Sequence, residues 1–180
     1  MEISNKHIYL IGFMGSGKST VGDQLAEALS RPFLDTDAFI EQLEERSIPA
    51  IFESQGEAYF RKLEKVIIEK TAEESPLVIA LGGGAFTIPR NREIVARAGV
   101  SIYLKWTTDT LFDRLKESRN RPLLYPYDAD ELYAYIEDLL NSRKAFYEMA
   151  DIIVEGEPYT SESALVQAII DKLGTDHDRN

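Results

Sequence analysis

Residues Gly12-Phe13-Met14-Gly15-Ser16-Gly17-Lys18-Ser19 fill the pattern G-x-x-x-x-G-K-S/T directly after the apolar run His7-Ile8-Tyr9-Leu10-Ile11. Glycines let the backbone turn tightly enough for successive N–H groups to converge on phosphate oxygens, and the helix that follows adds the positive end of its dipole. The pattern assigns Gly15, Ser16, Gly17, Lys18, Ser19 and Thr20 to the phosphates of a nucleotide, with Lys18 reaching the β- and γ-phosphates. Ser19 is positioned to set its hydroxyl on the Mg²⁺ that accompanies such a nucleotide. The competing reading is an ordinary glycine-rich turn ahead of a helix.

Three further groups carry chemistry. Asp35-Thr36-Asp37 follows the second apolar run, at the edge where ligands bind in open α/β sheets. Asp35 suits the magnesium shell, directly or through water, and Asp37 suits the hydroxyl of a phosphate acceptor, to orient it or take its proton. Either aspartate could instead cap the helix that follows. Gly82-Gly83-Gly84 follows a strand-like run and reads as a close backbone approach to a ligand or as a tight turn. Arg61 and Glu64 stand at i and i+3, so the carboxylate can fix the guanidinium as a bidentate clamp, though such pairs are also common on surfaces.

These groups need a scaffold to bring them together. Apolar runs at Ile8–Ile11, Pro32–Leu34, Leu77–Leu81, Ser101–Leu104 and Ile152–Val154 alternate with helical periodicity, which predicts an α/β fold built on a parallel sheet. Helices are expected over Ser19–Leu29, Asp37–Glu45, Glu57–Thr71, Asn91–Ala98, Thr108–Glu117, Asp128–Glu148 and Ser161–Leu173. The apolar faces fall on Val21, Leu25, Ala28 and Leu29 in the first helix, and on Phe60, Leu63, Val66 and Ile67 in the third. Ser47–Gly56, with Pro49, and Ser118–Asp128, with Pro122 and Pro126, read as irregular. The second of these carries Arg119 and Arg121, and beside a phosphate loop it reads as an arginine-bearing lid that excludes water.

Composition narrows the partners. The 180 residues, 44% of them hydrophobic, suit one domain. With 31 acidic and 20 basic residues, the net charge of −11 argues against nucleic acid or an anionic membrane as partner. The chain has no cysteine, which removes disulfides, a thiolate nucleophile and the usual zinc sites. No signal peptide or membrane span is expected, and a cytoplasmic location follows. His7 opens a strand and His177 lies in a polar tail, so neither is given a role.

Taken together, the phosphate loop, Asp35-Thr36-Asp37, Ile48, Ile51-Phe52, Gly56-Glu57, Phe60-Arg61-Lys62-Leu63-Glu64, Gly82-Gly83-Gly84 and Arg121-Pro122-Leu123-Leu124 strongly resemble the shikimate kinase family along nearly the whole chain. The resemblance implies a single-domain three-layer α/β/α P-loop kinase, related to the nucleoside monophosphate kinases, with a five-stranded parallel sheet in the order 2-3-1-4-5. It implies ATP-dependent phosphorylation of the 3-hydroxyl of shikimate by a monomer. Residue by residue, it makes Asp37 the hydroxyl-binding acid, Arg61 and Arg143 the carboxylate clamp, and Gly83 and Gly84 the backbone face of that pocket. Phe52 and Phe60 become an apolar wall or plain core. Lys18 and Arg121 neutralise the transferring phosphoryl group, and Ser19 and Asp35 hold Mg²⁺. Arg114 aligns with an adenine-stacking arginine. The domain is expected over residues 1–174, with a shikimate-binding region near 37–64, a lid near 116–128 and a disordered tail at 175–180.

One departure stands out. Many family members carry an arginine two positions before a proline in the last adenine-side loop, where this chain reads Glu155-Gly156-Glu157-Pro158. Adenine recognition there must rest on backbone groups. Gluconate kinases and nucleoside monophosphate kinases share parts of the pattern, but the Asp35, Asp37, Arg61 and triple-glycine set favours shikimate. A switch GTPase would need an Asn-Lys-x-Asp guanine reader, which the sequence lacks. Trp106, the single tryptophan, is expected on the nucleotide side.

Overall fold

The computed structural model describes residues 5–116, 128–158 and 160–175. Five strands, β1 (His7–Ile11), β2 (Phe33–Asp35), β3 (Val78–Ala80), β4 (Gly99–Lys105) and β5 (Ile152–Glu155), form one parallel sheet in the order β2-β3-β1-β4-β5. That is the order the family resemblance implied. Every residue of β1 is buried, as an apolar run must be when helices cover both sheet faces.

Eight helices surround the sheet among the described residues: α1 (Lys18–Ala28), α2 (Thr36–Glu44), α3 (Ile48–Gln55), α4 (Glu57–Thr71), α5 (Pro89–Ala98), α6 (Thr108–Leu115), α7 (Ala129–Tyr147) and α8 (Glu162–Thr175). α1 packs on α8, α6 on α7, and α5 along β4. Because all strands run the same way, their C-terminal ends share one edge. After β1 the chain runs to one side to form β2, and after the neighbouring β3 it runs to the other side to form β4, which opens a crevice between β1 and β3 at that edge.

Three expectations are corrected. Ser47–Gly56 is largely helical: Ser47 caps α3 by accepting from Ala50 N, Pro49 sits in its first turn, and Gly56 ends it at φ 78°. A proline in the first turn removes an N–H that has no helical partner, so it marks a helix start here rather than a break. On α4 the buried stripe is Phe60, Glu64, Ile67, Ile68 and Thr71, while Val66 is exposed. On α1, Gly22 and Ala26 join Val21 and Leu25 in the core, and Ala28 faces solvent.

The helices α2, α3 and α4 enclose a second, smaller core of Ile40, Ile51, Phe60 and Ile67. The main core joins the sheet to the other helices. Most of the lid region expected over 116–128, with Arg121, lies outside the described residues, as does the tail beyond Thr175.

At the opposite edge, His7 accepts a hydrogen bond from Leu77 N through Nδ1 at 3.1 Å. Burial holds its pKa below the ordinary 6.5. Its neutral form is therefore favoured in the folded state, so this contribution to stability is full above pH 6.5 and is lost as pH falls through the lower folded-state value. His7→Gln should flatten the acid side of a stability–pH profile measured by urea unfolding; parallel wild-type and variant profiles would show that His7 does not couple folding to protons.

Candidate functional site

The phosphate loop turns through Gly12, Gly15 and Gly17, with φ of 145°, 76° and 87°. A Cβ at Gly12 would stand 2.8 Å from the Leu104 carbonyl oxygen, and one at Gly15 would stand 3.0 Å from Leu115 Cδ2. The loop is thus pressed against β4 and α6 while it turns. Lys18 Nζ donates to the carbonyls of Gly12 (3.1 Å) and Phe13 (2.9 Å), which draws the ammonium back over the loop. Ser16 is buried and Thr20 is exposed on the first turn of α1.

Beyond β4, Trp106 Nε1 donates to the Ser16 carbonyl at 2.9 Å. Arg114 lies with Cζ 3.7 Å from the Trp106 ring centroid and donates from Nη1 to the Gly15 carbonyl at 3.3 Å. Both expected nucleotide-side residues therefore touch the phosphate loop itself.

At the end of β2, Asp35 does two jobs with its two oxygens. Oδ1 accepts from Asp37 N (3.0 Å) and Ala38 N (3.1 Å), capping α2. Oδ2 accepts from Ser19 Oγ at 2.5 Å. Asp35 thus caps α2 and also reaches Ser19, and Asp37 lies in the first turn of the helix. A hydroxyl and a carboxylate side by side beyond the phosphate loop are hard oxygen donors of the kind Mg²⁺ takes, so Ser19 and Asp35 fit such an ion.

Thr36, fully buried between the two aspartates, donates to the Ala80 carbonyl (3.2 Å) and accepts from Gly82 N (3.0 Å). Its hydroxyl ties the end of β2 to the triple glycine. The sequence reading passed over it, because a threonine between two aspartates carries no signal of a partner 46 residues away.

The triple glycine is where the remaining charges meet. A Cβ at Gly82 would lie 2.5 Å from Asp37 Oδ1 and 2.8 Å from Glu64 Oε1; at Gly83, 3.6 Å from Arg143 Nη1 and 3.5 Å from Met14 N of the phosphate loop; at Gly84, 2.6 Å from Arg61 Nη2. At Gly82 and Gly84 a side chain would run into charged groups already in place, whereas at Gly83 a Cβ would stand at ordinary contact distance. Tyr147, one helical turn after Arg143 on α7, donates from Oη to the Gly83 carbonyl at 2.5 Å and is fully buried. Sequence reasoning missed it; its four-residue spacing from Arg143 was the available signal.

Arg61 is held from both sides along α4. Glu64 accepts from Nη1 at 3.0 and 3.2 Å, and Glu57 accepts from Nε at 3.1 Å and Nη2 at 2.9 Å. The pair is no surface bridge, since the Glu64 side chain is 0% exposed. Burial pushes the Glu64 carboxyl up to about 7, against the pull of Arg61 and with a further push from Asp37. Phe60 is buried in the smaller core, and half-buried Phe52 meets it edge-on, with centroids 5.0 Å apart. Phe60 is thus core first, and Phe52 keeps the more accessible face.

A family model described as shikimate kinase matches residues 14–174. The chain belongs to the shikimate kinase family. A shikimate kinase of Ruegeria pomeroyi is 39% identical over 97% of this chain and 88% of its own length. Among solved structures, a shikimate kinase from Bacteroides thetaiotaomicron superposes with a TM-score of 0.88 at 35% identity, covering 94% of this chain and 98% of its own. A shikimate kinase from Acinetobacter baumannii, solved in complex with shikimate, gives 0.86 at 36% identity, covering 97% and 96%. As a shikimate kinase, the chain is an ATP-dependent kinase acting on shikimate.

The raised Glu64 value has a measurable sign. A folded-state value of about 7, above the ordinary 4.5, means that the folded protein holds this proton more tightly than the unfolded chain. Its stabilising share is full below the ordinary value and is lost as pH rises towards about 7. Glu64→Gln keeps an oxygen facing Arg61 and removes the titration, so the variant should gain stability over wild type across that window, by urea unfolding. A constant difference between the two profiles would contradict the assignment.

Proposed function

We propose that one P-loop domain over residues 1–174 transfers the γ-phosphoryl group of Mg·ATP to the 3-hydroxyl of shikimate. The products are shikimate 3-phosphate and ADP, in the chorismate route to aromatic amino acids. The observation that carries the assignment of roles is the packing of Asp37, Arg61, Arg143 and the phosphate loop around Gly82–Gly84. Two arginines and a carboxylate at one glycine-lined edge suit an acceptor that bears its own carboxylate and hydroxyls.

In this reading Arg61 and Arg143 clamp the shikimate carboxylate, and the backbone of Gly83 and Gly84 forms the face against which the ring lies, with Phe52 and Phe60 behind it. Asp37 accepts the hydrogen bond of the attacking hydroxyl and takes its proton as the bond to phosphorus forms. Lys18 and Arg121 balance the charge that develops on the transferring group, which is where such enzymes gain most of their rate. Arg114, presented on the Trp106 ring, stacks the adenine. Ser19 and Asp35 would hold Mg²⁺, which supplies positive charge to the phosphate oxygens when bound. We read the protein as a cytoplasmic monomer without nucleic-acid or membrane partners; its acidic net charge disfavours nucleic acid and anionic membranes, and no helix among the described residues is long and apolar enough to cross a membrane.

The test is ADP formation from Mg·ATP with shikimate, gluconate and nucleoside monophosphates in parallel, with Lys18→Ala as the blank. Turnover is expected with shikimate alone. Arg61→Ala should raise the shikimate KM by about 10- to 100-fold, as loss of a charged hydrogen-bonding contact does. Asp37→Asn should leave KM nearly unchanged and lower kcat by about 10²- to 10⁴-fold. Wild-type shikimate affinity in the Arg61 variant would remove that residue from the pocket.

A further inference from the structure

Four carbonyls of the phosphate loop are held by side-chain donors: those of Gly12 and Phe13 by Lys18, of Gly15 by Arg114, and of Ser16 by Trp106. Lys18 belongs to the loop's own helix. Trp106 and Arg114 reach the loop from the β4–α6 segment, and they act as a pair because the guanidinium lies 3.7 Å above the indole ring. Gly156 backs the same indole, since a Cβ there would fall 2.3 Å from Trp106 Cη2. Trp106 is 4% exposed, so the ring is wedged between the phosphate loop and the end of β5.

In a trans peptide the C=O and the following N–H point in opposite directions. Holding the Ser16 carbonyl outward on Trp106 therefore turns the Gly17 N–H the other way, towards the concave side of the loop. The left-handed turns at Gly15 and Gly17 gather successive N–H groups there into an anion-binding nest. A nest set before the ligand arrives binds more tightly, because the ordering cost is already met.

We propose that Trp106 is a positioning residue for the nucleotide phosphates: its indole N–H aims the Gly17 amide into the phosphate nest, and its ring seats Arg114 on the Gly15 carbonyl. This rests on the reading of residues 12–19 as the ATP-phosphate site. Trp106 contacts no reacting atom, and its effect passes entirely through the backbone of the loop.

The test uses Trp106→Phe, which keeps an aromatic ring under Arg114 and removes the N–H. Titration calorimetry with ADP and with inorganic tripolyphosphate should show both weakened by the same factor, about tenfold, the size of one lost hydrogen bond. Shikimate affinity should stay within about twofold of wild type, since that pocket gains nothing from the Ser16 carbonyl. Unchanged affinity for both polyphosphates would overturn the proposal. So would a loss confined to ADP, which would place Trp106 on the base side, or an equal loss for shikimate, which would make its role one of general stability.

The wild-type protein gives an independent reading if the variant folds poorly. Its single indole N–H should give one ¹H–¹⁵N resonance that shifts on adding tripolyphosphate and not on adding shikimate. An indole resonance indifferent to bound tripolyphosphate would overturn the proposal. Failure of the wild-type protein to bind tripolyphosphate or ADP at all would overturn the phosphate-site reading together with it.

Discussion

A strand buried on both faces has nowhere to place a working polar group except beyond its end. In this sheet the whole of β1 is buried, and all strands are parallel. Every functional group accordingly gathers past one edge. The phosphate loop follows β1, Asp35 closes β2, the triple glycine follows β3, Trp106 follows β4 and Gly156 follows β5. Strand order then decides which neighbours meet. Placing β3 between β1 and β2 sets the glycines beside the phosphate loop on one side and the aspartates on the other.

Within that edge, electrostatics and space are one problem. Glu64 is buried at a cost that Arg61 offsets, and Arg61 is in turn held by Glu57. The arrangement fixes a guanidinium whose rotamers would otherwise be many, at the point where the backbone of Gly84 can pass beside it. The same crowding works against side chains at Gly82 and Gly84, so backbone and charged groups line that side of the edge.

What the sequence disclosed follows the range of each interaction. The phosphate loop was legible because its glycines, lysine and serine act within eight consecutive positions. The Arg61–Glu64 pair was legible as a spacing, but its burial was not, since this depends on α4 packing against α2, α3 and α5 and beside the glycines that follow β3. Thr36 and Tyr147 act through hydrogen bonds spanning 46 and 64 residues, which no local pattern records. The helix α3 was hidden by Pro49, whose meaning reverses between the first turn of a helix and its interior. The pairing of Trp106 with Arg114 joins residues eight apart in sequence, yet only the turn from β4 into α6 brings the ring beneath the guanidinium.

The long helix α7 links two places that differ in kind. Its first turn is fixed by a capping box between Asp128 and Glu131, and its last turn is fixed by Tyr147 on the Gly83 carbonyl. Nineteen residues of helix make a rod about 28 Å long. Buried at Leu132, Ile136, Leu140 and Tyr147 along its length, such a rod can shift only as a unit: a tilt of about 2° at the glycine end would carry the capped end through about 1 Å. The angle at which α7 leaves the pocket and the position of residue 128 are therefore a single mechanical coordinate, read at opposite ends.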